Sequence, residues 1–253
     1  MNRLRRRALA RAFAAVLVTA MLPAACTTDP LSAPLIAVLD VSVAGMPADG
    51  VLLLNATRTL TATVLGPADS VLADRPVAWS STAPEIAAVS DEGRVEAVST
   101  GEATIKARSG GRAGVVPVSV REGTTVPASG GTRTVNLLDN RLRLSVPVGV
   151  APSGTVIHAR EALAWPPNGR ILAASVVELG PDGTELAASV TVGVTFTPAD
   201  IPAAERSQLR LHGLRADGQW EILPSASVDL NAFRVSAGLM RLTKVAIFRP
   251  AMP

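Results

Sequence analysis

Across residues 34–120 apolar and polar side chains alternate at a period of two, the spacing of a sheet that buries one face. In the run RTLTATV, Leu60, Ala62 and Val64 fall on one side and Thr59, Thr61 and Thr63 on the other. In EATIKAR, Ala103, Ile105 and Ala107 point one way while Thr104, Lys106 and Arg108 point the other, and Val116, Val118 and Val120 repeat the pattern. Asp91-Glu92-Gly93 sits between two such runs and predicts a hairpin turn, with Gly93 free to take positive φ. The alternation returns over residues 132–250, in Leu142, Leu144 and Val146 and again from Val190 to Phe196. There Ala216-Asp217-Gly218-Gln219 predicts a type I′ hairpin between Leu209, Leu211 and Trp220, Ile222, and Gly180-Pro181-Asp182-Gly183 marks another turn. Past the N-terminal segment, only PADIPAAERSQ (198–208) has helical character, enough for one short turn.

The pattern predicts an all-β protein of two consecutive β-sandwich domains behind an N-terminal signal helix. Five basic residues between Arg3 and Arg11 precede an apolar run of about 14 residues, Ala12 to Ala25, the length of a signal-peptide core and short of the roughly 20 that span a bilayer. The expected division is a signal peptide at 1–25, a tether at 26–33, a first module at 34–120, a linker at 121–131 and a second module at 132–250. The linker, REGTTVPASGG, has no apolar periodicity and the composition of a flexible joint.

Leu22-Pro23-Ala24-Ala25-Cys26 resembles the bacterial lipobox, with Pro23 where that pattern usually has Leu. The resemblance implies cleavage before Cys26, acylation of its sulfur and attachment to a membrane through the lipid, each buried CH₂ contributing about 0.8 kcal/mol. Thr27 after the cysteine, in place of Asp, implies the outer membrane. Cys26 is the chain's one cysteine, so no disulfide competes for it. The other reading is an ordinary secretory signal cut near Ala25, with Cys26 incidental and the protein periplasmic or secreted.

In the first module Val77-Ala78-Trp79-Ser80-Ser81, Ile86-Ala87-Ala88-Val89, Gly93-Arg94-Val95, Ala97-Val98 and Gly101-Glu102-Ala103-Thr104-Ile105 occur in order. This string resembles the group 2 bacterial Ig-like domain, a β-sandwich of bacterial surface proteins, and implies that Trp79 belongs to the core. Independently, Trp79 shares a face with Val77. In the second module Gly130-Gly131, Leu144-Ser145-Val146-Pro147-Val148-Gly149-Val150, Glu178-Leu179-Gly180-Pro181-Asp182-Gly183 and the closing run from Leu242 to Phe248 resemble the β-sandwich domain of the netrin-receptor and ankyrin type. Some relatives in that family cleave their own backbone at His-Phe-Ser. The matching place here is Arg241-Leu242-Thr243, where Thr243 supplies a hydroxyl but a guanidinium cannot act as base.

Composition narrows the chemistry. Five of the 24 Lys and Arg residues precede Cys26, leaving 19 against 21 acidic residues, so the mature chain lacks the positive footprint of a nucleic-acid binder. Tyr is absent and Trp occurs three times, which counts against stacking platforms for sugars or bases. His158 and His212 are far apart, each alone in a strand, and both read as solvated side chains. Ser153-Gly154 beside His158 makes no nucleophile elbow. Asp91, Glu92, Asp182 and Asp217 occupy turns, and Glu96 and Glu221 outward strand positions. No catalytic, metal or cofactor site is expected, no small-molecule substrate and no nucleic-acid partner. The expected function is a non-catalytic cell-surface or envelope adhesion or interaction module whose partner is an envelope or surface protein or a glycan. A structural envelope component without a ligand is the alternative, and a periplasmic hydrolase the remote one.

Overall fold

The computed structural model describes residues 37, 38 and 40–251. The expected signal peptide, the tether and Cys26 lie outside these residues. In the first half the strands are β1 (Asp40–Ala44), β2 (Val51–Leu53), β3 (Thr57–Thr59), β4 (Thr61–Leu65), β5 (Ala78–Ser81), β6 (Ala87–Val89), β7 (Arg94–Ala97), β8 (Gly101–Ser109) and β9 (Arg112–Thr125). The second half adds β10 (Arg133–Leu137), β11 (Leu142–Val146), β12 (Val156–Glu161), β13 (Val177–Gly180), β14 (Glu185–Thr195), β15 (Arg210–Leu214), β16 (Trp220–Ile222), β17 (Ser227–Asp229), β18 (Arg234–Arg241) and β19 (Lys244–Phe248). Helical structure among the described residues is confined to three-residue 3₁₀ turns, two of them at Pro198–Asp200 and Arg206–Gln208, and no helix is long and apolar enough to cross a membrane.

The expected inward faces are buried. Leu60 and Val64, then Ala103, Ile105 and Ala107, then Val118 and Val120 are all covered, and they pack between the β8–β9 layer and the β3-β7-β6 and β1-β4 sheets. RTLTATV is not one strand, however. The chain switches sheets at Leu60, so β3 pairs with β7 and β4 with β1. Half-buried Trp79 packs against both apolar clusters of this sandwich, the core role its face implied.

In the second half a five-stranded sheet, β10-β11-β14-β18-β17, covers the layer β16-β15-β19-β13-β12. Leu142, Leu144 and Val146 from one sheet meet Ile157, Leu179, Leu211 and Ile247 from the other in the largest core cluster. Both predicted hairpins form, but with three-residue loops: Ser90 pairs with Arg94 and Arg215 with Gln219. Gly93 and Gly218 take φ of +79° and +80°, whereas Asp217 is not left-handed, so the Asp-Gly turn is not type I′. The Asp217 carboxylate instead accepts from the Gln219 N–H at 3.0 Å, a side-chain turn that frees its backbone from positive φ.

One expectation needs correcting. Residues 121–125, assigned to a flexible linker, are the continuation of β9. Its first part pairs with β8 over Arg112–Val120, and its last residues pair antiparallel with β12, Glu122 opposite Ala159 and Thr125 opposite Val156. The segment lacks apolar periodicity because its one buried side chain, Thr124, is polar, while ladder hydrogen bonds hold it in the sheet. Residues 37–251 accordingly fall in one compact unit.

Truncating Leu144, fully covered between the two sheets, removes apolar contacts that the surrounding strands cannot replace. Leu144→Ala is expected to cost about 2–5 kcal/mol in urea unfolding. Leu163→Ala, at a side chain 85% exposed, should stay within about 0.5 kcal/mol of the parent.

Candidate functional site

The concavities of the second half and of its border with the first are open to solvent. One, of about 560 Å³, opens at the end of the second sandwich between the β15–β16 hairpin and the upper half of β18. It gathers three carboxylates, but each has an arginine: Glu185 lies 3.3 Å from Arg241 Nε, and Asp217 and Glu221 lie 3.5 and 3.8 Å from the Arg215 guanidinium. Neither histidine lines this basin. Among the described residues no three His, Cys, Asp or Glu side chains converge as metal ligands would.

Thr243 borders the basin without being available to it. The short link Leu242-Thr243 carries the chain from β18 in one sheet to β19 in the other. This corner is hydrogen-bonded throughout: the Leu242 N–H donates to the Thr184 carbonyl at 2.8 Å, and the Gly183 and Leu179 N–H groups donate to the carbonyls of Leu242 and Thr243. The Thr243 hydroxyl, 7% exposed, donates to the Leu214 carbonyl at 2.6 Å. Arg241, beside it, is directed to the Gly183 carbonyl and to Glu185. The arrangement supplies no base for the hydroxyl and makes Thr243 a structural anchor.

Both histidines differ from expectation. His212 points away from the sandwich core, as the alternation requires, yet is only 6% exposed because the outer face of β15 and β19 is itself covered. Its ring stacks on Phe248 at 3.9 Å between centroids, and Trp220 tilts over the same phenyl ring at 5.6 Å. Ala162, Trp165, Ile171 and Val176 complete this outer apolar layer, and the Trp220 indole N–H reaches the Pro166 carbonyl at 3.4 Å. Burial lowers the His212 pKa, its contact with the Arg210 carbonyl opposes that, and Arg170 reinforces the lowering. The sequence hid this cover because Trp165 and Phe248 are remote in the chain.

His158 lies on β12 opposite Gly123 of β9 and Gly180 of β13. Its imidazole fills space above Gly180 that any Cβ there would occupy. Its Nδ1 is buried without a hydrogen-bond partner. Burial is the main cause of its lowered pKa; Arg121 and Arg160 add to the lowering, and Asp49 and Glu178 oppose it. Glu178 lies 2.6 Å from Arg160 and 3.4 Å from Lys244. Burial alone would raise the Glu178 pKa, but these two cations hold it below its usual value.

A second groove, about 380 Å³, runs where the two halves meet and is lined from both, by Glu102, Arg121 and Glu122 on one side and Leu138, Arg160 and Leu163 on the other. Arg121 pairs with Glu102, Arg141 with Glu161, and the Glu122 carboxylate accepts the Leu138 N–H at 2.6 Å. Leu138, Asp139 and Asn140 all take positive φ, so this carboxylate holds an unusual turn.

Comparison with known proteins places the first half. Residues 42–120 match the family model of the bacterial Ig-like domain (group 2). Among solved structures, the surface layer protein SbsC, domains 1–6, aligns at 13% identity and a TM-score of 0.28 over 84% of this chain and 36% of that one. The S-layer protein rSbsC(31-844) aligns at 12% identity and 0.29 over 85% and 38%. The Yersinia pseudotuberculosis adhesin InvE aligns at 11% identity and 0.24 over 83% and 53%. The chain thus spans between about a third and half of the length of these structures. No curated protein matches it.

Two measurements check this description. His158 and His212 have folded-state pKa values below the ordinary 6.5. Their neutral forms therefore stabilise the fold fully above about pH 6.5, and that contribution is lost as pH falls from there through the folded values. Urea midpoints should drop between pH 7.5 and 5.5, and His212→Phe, which keeps a neutral ring against Phe248, should flatten the drop. Thr243→Val leaves the Leu214 carbonyl without its donor and should cost about 1–3 kcal/mol, while denaturing gels show the same uncleaved chain for parent and variant.

Proposed function

We propose that this protein is a non-catalytic surface or envelope interaction module, held to the outer membrane by a lipid on Cys26. The match of residues 42–120 to a bacterial Ig-like domain carries the reading, because the segment resembles a β-sandwich of bacterial surface proteins. The chemistry of the described residues supports it: the three carboxylates in this basin lie beside two arginines, Arg215 and Arg241, and the hydroxyl of Thr243 beside them is bonded into a corner. In such sandwiches the cores fix the frame and the end loops vary freely, which suits recognition. The end of the second sandwich, bordered by Arg215, Arg241 and the half-exposed Met240, is the surface offered to a protein or glycan partner.

Two variants expressed in the native bacterium test the two parts of this proposal. Cys26→Ser should move the protein from the membrane to the soluble fraction and abolish the acylated N-terminal peptide seen by mass spectrometry; unchanged membrane retention would refute the anchor. Arg215→Glu, at a side chain 55% exposed, should leave folding intact and reduce attachment to partner cells or surfaces as deletion of the whole chain does. If deletion weakens the envelope while attachment is unaffected, the protein is a structural component and the recognition reading fails.

A further inference from the structure

We propose that β9 joins the two sandwiches into one cooperative folding unit with a fixed mutual orientation, so that neither behaves as a bead on a linker. The inference goes beyond the surface reading and stands or falls separately from it.

Both halves depend on the same strand. Over Arg112–Val120 β9 pairs with β8, over Ser119–Arg121 it runs parallel to β2, and over Glu122–Thr125 it pairs with β12. The buried positions of the strand, Gly114, Val118, Val120 and Thr124, are all even-numbered. Val118 and Val120 enter the core of the first sandwich, Thr124 is buried, and Val126, one residue past the strand, enters the core of the second. Separating the halves would strip β12 of its neighbour in the ladder and expose Val126.

The crossing is fastened from both sides. The Leu54 N–H donates to the Arg121 carbonyl at 2.8 Å, and five residues later the Val126 N–H donates to the Thr155 carbonyl at 2.8 Å. Glu122 holds the β10–β11 turn through Leu138. At Gly123 the two halves converge on one residue: a Cβ there would collide with the Ile157 carbonyl of β12 and stand 2.8 Å from the Leu53 side chain of β2. A strand wedged between neighbours in this way has no room to act as a hinge, because a swing at residues 121–125 breaks ladder bonds on both sides at once.

The three tryptophans report on the halves separately: Trp79 lies in the first sandwich, Trp165 and Trp220 in the second. Urea unfolding of the mature chain is followed by fluorescence in two backgrounds, Trp165→Phe with Trp220→Phe, and Trp79→Phe. Coincident transitions are expected in both, with Ile105→Ala in the first core lowering both midpoints equally, by roughly 1 M urea. Movement of the Trp79 signal alone would overturn the proposal, and so would separate transitions before the substitution is made. Inserting Gly-Ser-Gly-Ser after Glu122 should split the single transition into two. If the insertion variant folds and its probes still coincide, the strand is not what couples the halves, and the proposal fails. If that variant does not fold, the Ile105→Ala comparison decides alone.

Discussion

The hydrogen-bond ladder of β9 is the constraint on which the rest of the structure depends. A strand can serve two cores only if its side-chain alternation stays in phase across both, and residues 114–126 keep that phase without a bulge in the recorded pairings. Small or short side chains stand where the neighbours are closest. Gly123 takes the position under Leu53 and β12, and the short side chain of Thr124 beside it is buried. The orientation of one sandwich on the other follows from the twist and register of this strand, as strand directions do within any single sheet.

Where burial produced a repeating pattern, the fold was legible in the sequence. Leu60, Val64, Ile105, Val118, Leu142 and Leu144 alternate because each strand hides one face, and the structure hides those faces. Residues 121–125 carry no such pattern because their one buried side chain, Thr124, is polar and the ladder to β12 is backbone bonding, to which hydrophobic periodicity is blind. The sheet switch at Leu60 was invisible for a related reason: the alternation continues unbroken through the point where the hydrogen-bonding partner changes. At the Asp217-Gly218 turn the dipeptide predicted a hairpin correctly and its geometry wrongly, since Asp217 bonds the backbone through its carboxylate.

The histidines show the limit of reasoning from faces alone. Both point away from the main core, as their strand positions require, yet His212 is buried and His158 is half-buried with its Nδ1 covered. His212 is covered by Phe248, Trp220 and the segment around Trp165, and His158 sits between two glycine-bearing strands among Arg121, Arg160 and Glu178. An outward position in a sheet predicts solvent only when nothing else in the chain returns to cover it. Here residues 162–176 do return, making the second sandwich locally three layers deep, and among the described residues no group of three metal-ligating side chains forms.

These features favour recognition over chemistry. A catalytic centre needs a reactive group held free of its neighbours, in the protonation state the reaction uses. In the two concavities described above the polar groups have partners: Glu185 and Glu221 face arginines, Thr243 donates to a carbonyl and Glu122 accepts from a backbone N–H. The same commitments stiffen the frame. A surface carried on a stiff frame loses less conformational entropy when a partner docks, so a modest contact area yields useful affinity. The strand that fixes the angle between the sandwiches thereby also sets the direction in which the far loops face, and on the proposed reading that direction decides what those loops can meet.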